Sequence, residues 1–148
     1  MEEKKTIRVV YVENDKCAQV IELGTELEDM QKAVGGDIEG IFPFSEQTCL
    51  VCNEMGKWHC KPNRTLKDSI GKPYLVICGA FFICDVSGTH FGSLSDEQVQ
   101  RYLKMFEFPE WIGRTNGKLI AIPYDPRVNK KTNREDRSNV SRYELCQS

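Results

Sequence analysis

Histidine is almost missing from this chain: His59 and His90 are the only two among 148 residues. Nucleophilic catalysis needs a serine or cysteine beside a base, and no Gly-x-Ser-x-Gly elbow accompanies either histidine. His90, between Thr89 and Phe91, reads as a loop residue rather than a base. An excess of one charge is lacking as well. The formal net charge is −2, so no overall field draws the chain to nucleic acid or to an anionic membrane, and the dense acidic surface of a DNA mimic is missing. Long apolar runs are also missing. The longest, Leu75 to Cys84, contains Gly79 and is too short to span a bilayer. The opening Met-Glu-Glu-Lys-Lys carries no apolar stretch of the signal-peptide kind. The expectation is a cytoplasmic protein with no membrane partner.

Cysteine is present in quantity, at seven residues. The number is odd, and Cys17, Cys49, Cys78 and Cys84 lie in apolar stretches, where thiols of a reducing compartment act as small hydrophobes. Cys49-x-x-Cys52 followed by His59-Cys60 has zinc-ligand residue types. A strand, however, points residues three apart to opposite faces, and Asn53 stands where a zinc knuckle turns on glycine. The expectation is therefore no metal and no cofactor.

Local patterns predict an α+β chain. Ile7–Val12 and Ala18–Leu23 read as a hairpin around Asn14-Asp15. Thr25 and Glu28 have capping-box spacing, Leu27, Met30 and Val34 share a helical face, and Gly35-Gly36 stops the helix. Because these glycines close a helix, Gly35-Gly36-Asp37 is not a phosphate loop. Ile38–Phe42 and Thr48–Cys52 read as strands, Asn53–Gly56 as a turn, and Lys57–Lys61 as a further hairpin strand. Pro62-Asn63 bends the chain away and Leu66–Gly71 reads as a loop or a single turn. Tyr74–Val86, apolar on both faces, reads as one central strand with a bulge at Gly79. Ser95 and Gln98 form a second capping box, ahead of a helix with Val99, Leu103 and Phe106 on one face. Leu119–Pro123 reads as an edge strand. The expected fold is a mostly antiparallel sheet of about five to six strands with two short helices packed on one face. Residues 1–125 form this single domain. Residues 126–148, with six Lys or Arg against three acidic residues, form a flexible polar, basic tail.

Several motifs, taken in order, carry a resemblance. They are Met30-Gln31-Lys32-Ala33-Val34-Gly35-Gly36-Asp37-Ile38-Glu39, then Pro43-Phe44, Val51-Cys52-Asn53-Glu54-x-Gly56-Lys57 and Asn63-Arg64-x-Leu66. Ile77-x-Gly79-x-Phe81-Phe82-Ile83 and Phe91-x-Ser93-Leu94-Ser95-Asp96-Glu97-Gln98 follow. The set resembles an uncharacterised small-domain family encoded largely by bacterial phages, plasmids and conjugative elements, and spans residues 7 to 108. The resemblance implies a mobile-element accessory protein in the cytoplasm of a bacterial host, and carries over no activity. Trp58-His59-Cys60 departs from the small aliphatic stretch usual there, which argues further against zinc.

The densest polar set beside strand ends is Asn53, Glu54, Lys57, Asn63 and Arg64, with Glu39 nearby. Arginine can hold a carboxylate or phosphate bidentately and asparagine can read amides. These six residues are the expected ligand-binding set. The preferred expectation is a non-enzymatic binding module that counters a host defence and takes a small anionic, nucleotide-like ligand or a host defence protein. The second is a small hydrolase or transferase using Glu39 or Glu54 as base, with Lys57 or Arg64 stabilising charge. The third is a nucleic-acid accessory factor acting through the tail.

Overall fold

The computed structural model describes residues 5–128. Five of the seven residues of β1 (Thr6–Val12) are β-branched, which suits a pleated, packed strand. It pairs antiparallel with β2 (Gln19–Gly24), from Thr6 opposite Gly24 to Tyr11 opposite Gln19, as the expected N-terminal hairpin. Helix α1 (Leu27–Val34) follows, and its cap lies one residue later than the sequence suggests. Glu26 and Asp29 form the box, because Thr25 is already committed to the end of the β1–β2 ladder, its N–H donating to the Lys5 carbonyl at 3.2 Å. The glycine stop is as expected: Gly35 has φ 79°, and the N–H groups of Gly35 and Gly36 donate to the Gln31 carbonyl at 2.8 and 3.0 Å.

Strands β3 (Ile38–Ile41) and β4 (Thr48–Asn53) form the next antiparallel pair. Lys57–Lys61 is not a strand. Gly56–His59 forms a single helical turn, α2, started by the Asn53 Oδ1, which accepts the Met55 N–H at 2.8 Å. The chain then enters β5 (Pro62–Lys67), so Asn63 and Leu66 lie in a strand rather than in loops. The run from Tyr74 to Val86 is two strands, β6 (Pro73–Cys78) and β7 (Phe81–Asp85), separated by Gly79 at φ 84°. That residue is a sheet-switching turn rather than a bulge. Helix α3 (Asp96–Met105) carries the expected Ser95–Gln98 box. The chain finishes its described part with the β8 (Glu110–Thr115) and β9 (Lys118–Pro123) hairpin, of which the sequence reading found only the second strand.

The main sheet has strand order β2-β1-β7-β4-β3, while β5–β6 and β8–β9 form two-stranded sheets of their own. Alternation sorts the central strands into two cores. Ile7 and Val9 of β1, Cys49 and Val51 of β4, and Phe82 and Cys84 of β7 pack with Met30 and Val34 of α1. Val10, Val12, Leu50, Cys52, Phe81 and Ile83 point the other way, toward Val99, Tyr102 and Phe106 of the α3 segment and Leu66 and Ile77 of the β5–β6 hairpin. The two longer helices therefore cover opposite faces of the sheet, not one face. Both faces need cover because the central strands are apolar on both sides. Burial of each large side chain contributes about 1.5–3 kcal/mol. The α+β class and the antiparallel pairing are as expected, with three helices among the described residues in place of two. The tail expectation falls mostly on residues 129–148, outside the described residues. Among the described residues, no helix is long and apolar enough to cross a membrane.

Candidate functional site

The six residues singled out from sequence divide into two kinds. Arg64 is 1% exposed, and all five of its N–H donors are used inside the protein. Nε and Nη2 donate to the Phe106 carbonyl at 3.2 and 3.0 Å, and Nη2 also reaches the Lys16 carbonyl at 2.6 Å. Nη1 donates to the Asn63 carbonyl and Oδ1 at 3.3 and 2.8 Å. Phe106 caps the C-terminus of α3, so the guanidinium meets the negative end of that helix. Burial still lowers its pKa from 12.5 to about 10. Asn63, also buried, spends its amide on the Val12 and Gly79 carbonyls at 3.0 and 2.9 Å. The Asn53 Nδ2 donates to the Val34 carbonyl at 3.2 Å, satisfying the end of α1. Arg64 and Asn53 join strands to helix ends, and Asn63 joins β5 to the end of β1 and to the Gly79 turn. Glu39, Glu54 and Lys57 are exposed on β3, the β4–α2 turn and α2. Lys57 lies over its neighbour Trp58, 5.6 Å from the ring centre. The structure does not bring the six round one cavity.

Cys49 and Cys52 occupy the two different cores, which follows from their separation by three positions in a strand. Burial pushes the Cys52 thiol up to about 11 and raises Cys84 further. These are packed thiols without thiolate character. Glu46 accepts hydrogen bonds from the Tyr102 hydroxyl, the Arg101 guanidinium and the Gln98 amide, and Thr48 lies 2.9 Å from the same hydroxyl. Burial and the Glu46 bond raise Tyr102 to about 12, keeping it protonated. This closed network ties the β3–β4 loop to α3.

A cleft of about 520 Å³ opens on the α1 side of the sheet, within the usual size range for small-ligand sites. Its walls come from three distant parts of the chain: Lys5 at the start of β1, Thr25, Leu27 and Met30 at the start of α1, and Thr89, His90 and Phe91 in the β7–α3 loop. Each wall has a fixed base. Thr25 is pinned to Lys5 by the ladder-end bond. The loop is closed by the Asp85–Gly92 pair, with N···O distances of 3.0 and 2.8 Å in the two directions. It is also fastened to β1 through Arg8 N–H to Ser93 Oγ at 2.9 Å and Leu94 N–H to the Arg8 carbonyl at 2.9 Å. Between these bases Thr89 and His90 are exposed, and Phe91 is half-buried against the α1 core. Among the described residues, the lining offers an ammonium, an imidazole, the Thr89 hydroxyl, a Thr25 hydroxyl that donates to the Lys5 carbonyl at 3.5 Å, and an apolar floor, and includes no carboxylate, serine or cysteine. From sequence, His90 reads as a loop residue rather than a base, with no binding role assigned. Nothing in the order of residues places it near Lys5, 85 positions earlier.

A family model described as a domain of unknown function, DUF3846, matches residues 7–107. The chain belongs to this family. The DUF3846 match takes in the main sheet from β1 to β7 and runs through α3, and the β8–β9 hairpin lies beyond it. Comparison with curated proteins and with solved structures gives no match.

Proposed function

We propose that this DUF3846 protein is a non-catalytic binding module that takes a small anionic ligand in the cleft between α1 and the β7–α3 loop. The observation that carries this reading is the cleft itself: about 520 Å³, lined by the Lys5 ammonium, the His90 imidazole and threonine hydroxyls together with Leu27, Met30 and Phe91. Recognition rather than turnover suits a lining with no nucleophile–base pair of the Ser–His or Cys–His kind. The site first expected around Arg64 is now less favoured, because that guanidinium has no donor left for a ligand. For the same reason the hydrolase reading loses Arg64 as a charge-stabilising group and keeps Lys57. The resemblance to domains encoded by phages and conjugative elements adds a setting: the module acts in a bacterial cytoplasm, where capturing a host signal would blunt a defence.

Native mass spectrometry of the full chain purified from bacterial cells tests the reading. A small molecule that stays bound, and leaves in the Leu27→Glu variant, is the expected result. Leu27 is 57% exposed, so the change adds a charge to the cleft without opening the core. If no molecule is bound and none of a panel of nucleotides and aryl acids raises the melting temperature, the reading is wrong. Co-purification of a host protein in place of a small molecule would favour the defence-protein alternative.

A further inference from the structure

Resting on that binding reading, we infer a narrower ligand class: an amphiphilic monoanion, with one carboxylate or sulfonate on a flat apolar body, rather than a polyphosphate such as a nucleoside triphosphate. The charge of the lining sets the upper limit. Among the described residues, Lys5 supplies one ammonium, His90 is the other basic group, and no carboxylate lines the cleft. Just outside it, however, the start of α1 carries Glu26, Glu28 and Asp29. Glu26 and Asp29 hold each other's backbone N–H groups in the capping box, Asp29 Oδ2 accepting from Glu26 N–H at 3.2 Å, so their positions beside the cleft are fixed. A single negative charge can sit by Lys5 and the Thr89 hydroxyl. Three or four would face this acidic turn with too few cations to balance them.

The rest of the lining sets the body. Leu27, Met30 and Phe91 are contributed by α1 and the loop, and Met30 and Phe91 belong to the packed core on that face, so the floor is preformed. A thioether beside an aromatic ring favours a flat, polarizable group. The polar part of the lining comes from Lys5, Thr89 and His90. A ligand with separate charged and apolar ends satisfies both regions, whereas a uniformly polar one leaves the floor exposed.

The test is a fluorescence titration of the full chain with anilinonaphthalene sulfonate and with phenylnaphthylamine, its uncharged counterpart, each with and without competing ATP. The sulfonate is expected to bind at least about tenfold more tightly, since a charge-assisted contact adds about one decade or more. Lys5→Gln should remove most of that preference, His90→Gln a smaller part, and ATP should not displace the dye. Lys5 and His90 are exposed, so neither variant threatens folding. Equal affinity for the two dyes, an unchanged ratio in Lys5→Gln, or displacement by micromolar ATP overturns the monoanion assignment while leaving a binding cleft in place. If neither dye binds and ATP does not bind, the cleft reading itself fails along with the assignment.

Discussion

Replacing Arg64 by methionine separates a structural staple from a ligand-binding group. The substitution deletes five hydrogen bonds and leaves the Lys16 and Phe106 carbonyls and the Asn63 Oδ1 without their guanidinium donors in a buried place. An orphaned buried acceptor costs about 1–3 kcal/mol. Part of that loss is offset because a charge no longer has to be buried, a term of several kcal/mol. The balance is a destabilisation of about 3 kcal/mol, a large share of the roughly 5–15 kcal/mol that holds a domain folded. Arg64→Lys should recover only part of it, since an ammonium is one point of charge and cannot span acceptors on β5, the β1–β2 turn and the α3 end. Urea unfolding gives the midpoint and slope for parent, Arg64→Met and Arg64→Lys. Dye binding below the transition should be unchanged in both variants. An Arg64→Met chain within about 0.5 kcal/mol of the parent, or one that folds normally and loses binding, would refute this account of the residue.

Three further outcomes follow from local geometry. Ser95→Ala removes the side chain that accepts the Gln98 N–H at 3.2 Å, and should cost about 1 kcal/mol by the same unfolding assay. Gly56→Ala would place a Cβ 2.5 Å from the Cys78 carbonyl oxygen, so it should cost about 1–3 kcal/mol. Gly88→Ala meets nothing within 4 Å and should stay within about 0.5 kcal/mol of the parent. Stability should fall as pH rises from 9 toward 11. Burial raises the Cys52 thiol from 9.0 to about 11, so in that window the folded chain keeps a proton that the unfolded chain has lost. Its contribution is complete below the unfolded value and lost as pH passes the folded one. Tyr102 acts in the same sense between 10.0 and about 12, while Arg64, lowered to about 10, acts in the opposite sense above that pH. Chemical denaturation across pH 8 to 10, where Arg64 contributes least, should show the decline and a shallower slope in Cys52→Ala.

Local signals survived folding where no distant contact competed with them. Gly35-Gly36 stops α1, and Ser95 with Gln98 opens α3, as their residue types imply. The first capping box moved because Thr25 met a tertiary competitor, the Lys5 carbonyl at the end of the hairpin ladder. Tyr74–Val86 was misread because an unbroken apolar run looks the same whether it stays in one sheet or changes sheet at a positive-φ glycine. The α2 turn was hidden for a related reason: its start depends on the Asn53 side chain, and Gly56 is needed for its close approach to Cys78 rather than for the turn itself. The candidate site was the least legible. Arg64 looked like a ligand anchor because sequence shows a side chain's chemistry but not its burial. The cleft escaped notice because Lys5, Met30 and His90 meet only after the sheet has assembled.

Backbone amide chemical-shift mapping of the isotope-labelled full chain, titrated with anilinonaphthalene sulfonate, tests the binding cleft most directly. The account predicts ring-current shifts centred on Lys5, Thr25, Leu27, Met30, Thr89, His90 and Phe91 that saturate together. Shifts centred instead on Glu39, Glu54 and Lys57, or spread over the surface without saturating, would contradict it.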